Sequence, residues 1–271
     1  MTAHETEQPI AIELPKSLKA SRRGPIAHLR LTRSEKRNAL DDVTVRGLEA
    51  FFTALPADIR AVVLSGEGDH FSAGLDLSEV AEEHDPLVGV LHSRMWHRAF
   101  EAIQFGRAPV ITALHGAVVG GGLELAASTH IRVAERSTYY GLPEGQRGIF
   151  LGGGGSVRIA RLVGAPCVQD MMLTGRTLNA EEGHAVGITQ YLVDNGTGVE
   201  KAMELAAKAA ANTATTNFAV LHALPRILES NPESGLLTES LMASIAESSP
   251  EAKQRLKDFL EKRAAKVLRQ S

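Results

Sequence analysis

The hydrophobic period of this chain switches repeatedly along its length, and that restricts the fold more than any other feature. Ile26–Leu31 alternates, with Ala27, Leu29 and Leu31 on one face at a period of two, as a strand does. Val45, Leu48, Phe52 and Leu55 then recur at helical spacing behind Asp41 and Asp42, either of which suits an N-cap. Ala61-Val62-Val63-Leu64 is an apolar run closed by Ser65-Gly66, the pattern of a buried strand. The alternation continues with a helix over 86–105, a strand over Val110–Leu114 and a helix over Gly121–Thr129. Ile131–Ala134 and Ile188–Val193 read as further strands, and Asn179 with Glu182 is a capping-box variant opening another helix. Strands alternating with helices predict an α/β core with crossover connections.

Two flanks differ from this core. Residues 1–24 read as a loose leader ending in the turn-prone Ser21-Arg22-Arg23-Gly24-Pro25, which leaves 25–197 as the α/β unit. Over 198–271 the pattern is helical only, with helices over 200–212 and 216–229 and one opened by Ser249-Pro250, an N-cap followed by a first-turn proline. A net charge of −3 carries no basic excess that would suit nucleic acid. Cys167 is the single cysteine, so an intrachain disulfide is ruled out and a reducing compartment fits. No apolar run approaches the roughly 18 residues of a membrane helix. Met1–Pro15 is polar and acidic, without a hydrophobic signal core. The expectation is a cytoplasmic protein with neither membrane nor nucleic acid as partner.

Three glycine-marked loops follow expected strands: His70–Leu77, His115–Leu125, and the stretch from Tyr140 to Ser156 that includes Gly152–Gly155. Loops leaving the strands of an α/β sheet are the usual ligand site. Gly120-Gly121-Gly122 at a helix start leaves backbone N–H groups uncovered, which suits a phosphate or a developing oxyanion. Tight packing of helix on sheet explains the same triplet. Glu124 stands in the apolar Leu123-Glu-Leu-Ala-Ala127, where a carboxylate is costly to bury unless paired or protonated. Glu144 follows Tyr139-Tyr140-Gly141-Leu142-Pro143, and alone it is an ordinary loop acid. Together the two acids form a pair in desolvating surroundings, the arrangement that separates an acid from a base.

Other chemistries lack their residues. There is no His-Glu-x-x-His motif and no cysteine pair, and His92 and His97 do not share a helix face, so no metal site is expected. The dinucleotide fingerprint, the P-loop and Gly-x-Ser-x-Gly are all missing. Cys167 reads as a small buried hydrophobe, and Gly152–Gly155 as a flexible turn.

From Ile26 to about Val193 these residues resemble the enoyl-CoA hydratase/isomerase (crotonase) family, and the helical tail fits it. Arg33-Ser-Glu-Lys-Arg-Asn-Ala-Leu40 is similar to the family's N-terminal coenzyme A segment. Phe71-Ser-Ala-Gly-Leu-Asp-Leu77 resembles its first oxyanion loop and His115–Leu125 its second, and Leu173-Thr-Gly175, Ala180-Glu-Glu-Gly183 and Gly187 resemble the stretch beyond the active site. The resemblance implies a crotonase-like spiral core with a C-terminal helical region that mediates trimers or hexamers. It implies the backbone N–H groups of Leu75 and Gly121 as the oxyanion hole, and Glu124 and Glu144 as acid and base around one water. Lys36, Arg37, Ala39, Ala73, Gly74, Asp76, Leu77 and Gly120 would hold the coenzyme A ester. Coenzyme A is then part of the substrate, and no separate cofactor is expected.

Two departures flank the expected acyl pocket: Gly145-Gln146-Arg147 where the family often has an apolar residue, and Leu151 where it often has proline. With both glutamates present, the resemblance implies reversible hydration of a 2-enoyl-CoA. The alternatives are a Δ3,Δ2-enoyl-CoA isomerase and a non-catalytic acyl-CoA-binding homologue.

Overall fold

The computed structural model describes residues 7–79 and 85–261, and its chain separates into two units that meet at Ala210 and Ala211. The first is built on a seven-stranded sheet of β1 (Gln8–Pro9), β2 (Leu18–Arg23), β3 (Ile26–Leu31), β4 (Ala61–Gly66), β5 (Val110–Leu114), β7 (Ile131–Glu135) and β10 (Tyr191–Val193), in that spatial order. β1, β2 and β3 pair antiparallel, and every step from β3 to β10 is parallel. A smaller three-stranded sheet holds β6 (Ala117–Val119), β8 (Tyr139–Gly141) and β9 (Leu178–Asn179).

Parallel strands need crossovers, and helices supply them here. α1 (Asp42–Thr53) and α2 (Pro86–Gln104) lie between β3, β4 and β5 in the chain, and α3 (Gly121–Ala127) precedes β7. α4 (Gly155–Val163), α5 (Ala165–Thr174) and α6 (Ala180–Ala185) follow β8, and α7 (Gly198–Ala210) closes the unit. Asp41 caps α1 by accepting the Thr44 N–H at 2.8 Å, and losing such a cap costs about 1 kcal/mol. The predicted capping box of α6 is present: the Asn179 side chain accepts the Glu182 N–H at 2.8 Å, and Glu182 accepts the Asn179 N–H at 2.9 Å.

The near-continuous apolar runs in the middle strands reflect burial on both faces. Ala27, Leu29, Leu31, Val62 and Leu64 pack with Val45, Leu48 and Phe52 of α1 and with Trp96 and Phe100 of α2. Ile26, Ala61, Val63, Ile111, Ala113 and Val133 pack on the opposite face with Ala202, Leu205, Ala206 and Ala210 of α7.

Several expectations need correction. Of the leader, residues 1–6 lie outside the described residues, but Leu18–Arg23 is a full sheet strand in register with Ile26–Leu31. Its alternation was masked by three consecutive basic and polar side chains at Ser21-Arg22-Arg23. The boundary expected at 197/198 moves to 210/211, because α7 buries its alanine stripe on the sheet. The helix expected over Gly121–Thr129 ends at Ala127, and the strand expected from Ile188 begins at Tyr191.

The second unit is all helical: α8 (Ala214–Phe218), a π-helical stretch Ala219–Ala223, α9 (Leu224–Glu229), α10 (Pro232–Ser248) and α11 (Pro250–Leu260). Asn231 caps α10 through the Ser234 N–H at 3.0 Å, and Ser249 caps α11 through the Ala252 N–H at 3.2 Å. The sequence reading overlooked α10, although Asn231-Pro232 is the same cap-plus-proline signal that revealed α11. Leu236, Leu237, Leu241 and Ile245 of α10 are exposed.

Candidate active site

The site begins where the two segments at the sheet's carboxyl end are laced together. The Leu40 N–H donates to the Gly74 carbonyl at 2.7 Å, and the Asp76 N–H donates to the Leu40 carbonyl at 2.9 Å. The Ala73 N–H donates to the Arg37 carbonyl at 2.9 Å, and Ser72 Oγ to the Asn38 carbonyl at 2.8 Å. Arg37 and Asn38 both hold a φ of 53°, a left-handed stretch that costs energy outside glycine and needs such surrounding bonds to persist. Asp76 is an anchor in this lacing: it pairs with Arg33 at 2.8 Å and Lys36 at 3.2 Å. Ser78 Oγ also donates to Asp76, at 2.8 Å, and these donors hold the Asp76 carboxyl well below the usual carboxylate range.

A second strand of lacing brings the glycine triplet beside this loop. The Ser72 N–H donates to the Ala117 carbonyl at 3.0 Å and the Val119 N–H returns to the Ser72 carbonyl at 3.1 Å. Gly74 holds a φ of 90°, and a Cβ there would stand 2.6 Å from the Val119 carbonyl oxygen, so only glycine lets the two loops meet. A Cβ built on Gly121 would lie 3.3 Å from the Leu75 nitrogen, which puts the two expected donors on one small patch. Neither the Leu75 nor the Gly121 N–H donates a hydrogen bond among the described residues. Two free donors converging on one patch suit an oxyanion.

Facing them are the two acids, both buried: Glu124 is 3% exposed and Glu144 7%. Glu124 Oε1 accepts the Gly153 N–H at 2.9 Å and the Gly155 N–H at 2.8 Å. Burial pushes its carboxyl up to about 7, against the two N–H bonds and with added push from the charge of Glu144. Burial raises Glu144 as well, while the Arg147 guanidinium one turn away pulls it back. Glu144 Oε2 is buried without a hydrogen-bond partner among the described residues. Gly120, at a φ of 52°, admits it, since a Cβ there would sit 2.7 Å from Glu144 Oε1.

These groups line one cavity of about 220 Å³, together with Ala73, Leu77, Trp96, Arg147 and Ile149 among others. Of the expected site residues, Ala73, Leu75, Leu77, Gly120, Gly121, Glu124 and Glu144 are on its wall. Gly74 and Asp76 alternate with these wall residues in one loop, and Lys36, Arg37 and Ala39 sit in the segment bonded to it.

Sequence reading missed several contributors. Gly152–Gly155 is no flexible turn: it opens α4 and supplies both N–H bonds to Glu124. Arg158 braces that loop by donating to the Gly153 carbonyl at 2.9 Å and to Gln104 Oε1 at 2.7 Å. His92, bonded to Asp42 at 2.7 Å, and Trp96 both reach the cavity from α2. The lone tryptophan, at helical spacing from Phe100, was the one legible signal for that wall.

Among the described residues no group of three or more His, Cys, Asp or Glu is placed to hold a metal ion. The arrangement suits stabilising charge on a carbonyl oxygen while moving protons at the neighbouring carbons.

Comparison with known proteins follows the same line. The chain is 34% identical over 208 residues to a probable enoyl-CoA hydratase of Bacillus subtilis (strain 168), covering 76% of this chain and 81% of that protein. It is 36% identical over 179 residues to the fatty acid oxidation complex subunit alpha of Shewanella frigidimarina (strain NCIMB 400), covering 64% of this chain but only 25% of that longer protein. A solved Rhodopseudomonas palustris CGA009 structure, provisionally named an enoyl-CoA hydratase, superposes with a TM-score of 0.90 at 55% identity, over 95% of this chain and 100% of that one. The sequence pattern of the enoyl-CoA hydratase/isomerase family matches residues 21–269. The spiral of strands and helices that joins two glycine loops to a pair of buried glutamates is therefore no isolated likeness, and the chain belongs to the enoyl-CoA hydratase/isomerase family.

Proposed function

We propose that this protein is an enoyl-CoA hydratase, adding water reversibly across the C2–C3 double bond of a 2-enoyl-CoA thioester. The observation that carries the reading is the pair of buried carboxyls, Glu124 and Glu144, in one cavity with two unspent backbone donors. The thioester oxygen sits between the Leu75 and Gly121 N–H groups, which gain strength as it becomes an enolate oxygen. Burial raises both carboxyls, so each can take up or give a proton in the working pH range of an acid–base pair. The Gly153 and Gly155 N–H bonds fix Glu124 Oε1 and leave Oε2 available for proton exchange with the water whose oxygen attacks C3. One carboxyl of the pair takes the water's proton and the other delivers its proton to C2, which completes the 3-hydroxyacyl thioester.

Coenzyme A enters as part of the substrate, held by Lys36, Arg37 and Ala39 and by the backbone of 73–77. The exposed leucines of α10 support assembly into trimers or hexamers. Among the described residues no helix is long and apolar enough to cross a membrane. A single cysteine suits a reducing compartment, which supports a cytoplasmic enzyme.

The test is turnover of a panel of enoyl-CoA thioesters followed by mass spectrometry, with Glu124→Gln and Glu144→Gln beside the wild type. Each variant is expected to lose at least about a hundredfold in hydration. The double variant should be little worse than the poorer single one, because the acids act as a unit. Binding of a saturated acyl-CoA should survive in all three. Full turnover of a 3-enoyl-CoA by Glu124→Gln but not by Glu144→Gln would make the protein a one-base isomerase. A wild type that binds these esters and converts none would sink catalysis.

A further inference from the structure

The direction of the Leu75 donor is set from outside the cavity. A peptide unit is planar and trans, so its C=O and its N–H point opposite ways. The Gly74 carbonyl accepts the Leu40 N–H at 2.7 Å, and the Leu75 N–H of the same peptide unit is thereby turned away from the 33–40 segment. The Gly74 N–H is held as well, on Ser72 Oγ at 3.2 Å, and that hydroxyl donates to the Asn38 carbonyl at 2.8 Å. Both holds on Gly74 lead back to Asn38–Leu40. That segment is pinned in turn by the Asn38 side chain, whose Nδ2 donates to the Glu67 carbonyl at 2.9 Å and the His70 carbonyl at 2.8 Å. With carbonyl oxygens as both neighbours, the amide nitrogen is the end that faces them. Gly66 leaves the room: a Cβ there would lie 2.6 Å from the His70 carbonyl oxygen and 2.8 Å from Nδ2. Asn38 is 1% exposed, and its Oδ1 is buried without a hydrogen-bond partner among the described residues. The amide is therefore kept at a cost, for its two donor bonds.

We infer that Asn38 is a positioning residue for the oxyanion hole: its carboxamide, relayed through Ser72 Oγ and the Leu40 N–H, aims the Leu75 N–H at the thioester oxygen. The inference deepens the proposed function and rests on one part of it, Leu75 as a donor to an acyl-CoA carbonyl. Asn38 stands off the cavity wall among the described residues, so it acts through Leu75 and not on the substrate. A donor stabilises developing charge to the extent that it is aimed beforehand, and a hydrogen bond weakens steeply as its angle closes. Conformation alone does not account for an asparagine here. Asn38 holds a φ of 53°, which asparagine tolerates but glycine adopts with less strain. The two bonds to the 67–70 turn need the amide. Aspartate has the same shape but would set acceptor oxygens against two carbonyls.

The experiment separates the amide from the backbone. Asn38→Gly removes the amide and suits the left-handed turn, and Asn38→Asp keeps the side-chain shape and removes the donors. Infrared difference spectra of bound butyryl-CoA, carrying carbon-13 at the thioester carbonyl, read the hole directly, because hydrogen bonding lowers that stretch and the saturated ester is not hydrated. Wild type should lower the stretch relative to the free ester, and both variants should keep less than about half of the lowering. With a 2-enoyl-CoA, kcat and kcat/KM should fall together by at least about tenfold while KM holds, the mark of an interaction made in the transition state. Should neither variant fold, Ser72→Ala keeps Asn38 and cuts only the relay, and it should lose part of the lowering. Asn38→Gly with the wild-type stretch and kcat overturns the inference, and so does an unchanged stretch in Ser72→Ala. A rise in KM with kcat and stretch unchanged also overturns it and assigns Asn38 to holding coenzyme A. A wild type that lowers the stretch but hydrates no enoyl-CoA defeats the hydratase reading, and the variants' loss of that lowering still upholds this one. A wild type that binds the ester and leaves its stretch unmoved overturns the inference together with the oxyanion hole.

Discussion

Glu124 makes the protein's stability fall as pH rises, and Glu124→Gln removes that contribution. Its carboxyl is pushed from an ordinary 4.5 to about 7 in the folded chain, mainly because burial penalises the charged form. Between those two values the folded protein keeps a proton that the unfolded chain has released. The unfolded state therefore binds fewer protons, and stability declines with rising pH across that window and levels off above it. At about 1.36 kcal/mol per pKa unit the loss comes to about 3 kcal/mol between pH 4.5 and pH 7. Glutamine mimics the protonated acid: its carbonyl oxygen can still accept the Gly153 and Gly155 N–H groups, and its amide can donate toward Glu144. Urea unfolding of both proteins at one fixed concentration, from pH 5 to pH 8, gives the comparison. The variant should gain on the wild type by up to about 3 kcal/mol over that range. A constant gap would mean that Glu124 titrates normally, and a gap closing with pH would mean that its N–H bonds outweigh burial.

Other substitutions probe the rest of the site. Gly121→Ala should cut turnover by about 10²–10³, because its Cβ would sit 2.8 Å from the buried Trp96 ring, which must shift, and 3.3 Å from the Leu75 nitrogen; steady-state kinetics checks this, with circular dichroism to separate it from any loss of fold. Gly155→Ala should lower kcat at least about tenfold, as its Cβ would meet Glu124 Cγ at 2.8 Å and Oε1 at 2.9 Å and displace that carboxyl; unchanged kcat would show that the loop does not position Glu124. Arg158→Met should shift the pH–rate profile as well as lower kcat, since it frees the Gly153 carbonyl and removes a charge that lowers the Glu124 pKa. Light scattering should give a trimer or hexamer that weakens on deleting residues after Pro250, and a stable, active monomer would refute the assembly.

What could be read before folding was whatever depends on local chemistry. The switch between period two and helical spacing disclosed α1, α2 and the middle strands, because burial on one side of a helix or both faces of a sheet imposes that pattern locally. Caps at Asn179 and Ser249 were legible for the same reason, and the cap of α1 was legible as Asp41 or Asp42, of which the structure uses Asp41. Glu124 and Glu144 stood out because a carboxylate in apolar company must be explained. Pairing across distance was not legible. Leu18–Arg23 reads as a polar leader until Ile26–Leu31 lies beside it, and the alanine stripe of α7 reads as tail until the sheet covers it. Gly153 and Gly155 carry no side chain to announce a role, and their N–H groups matter only because β6, α3 and α4 bring Glu124 within 3 Å. Residue chemistry is written in the chain, but the directions of backbone donors and the loss of water around an acid exist only once remote segments meet.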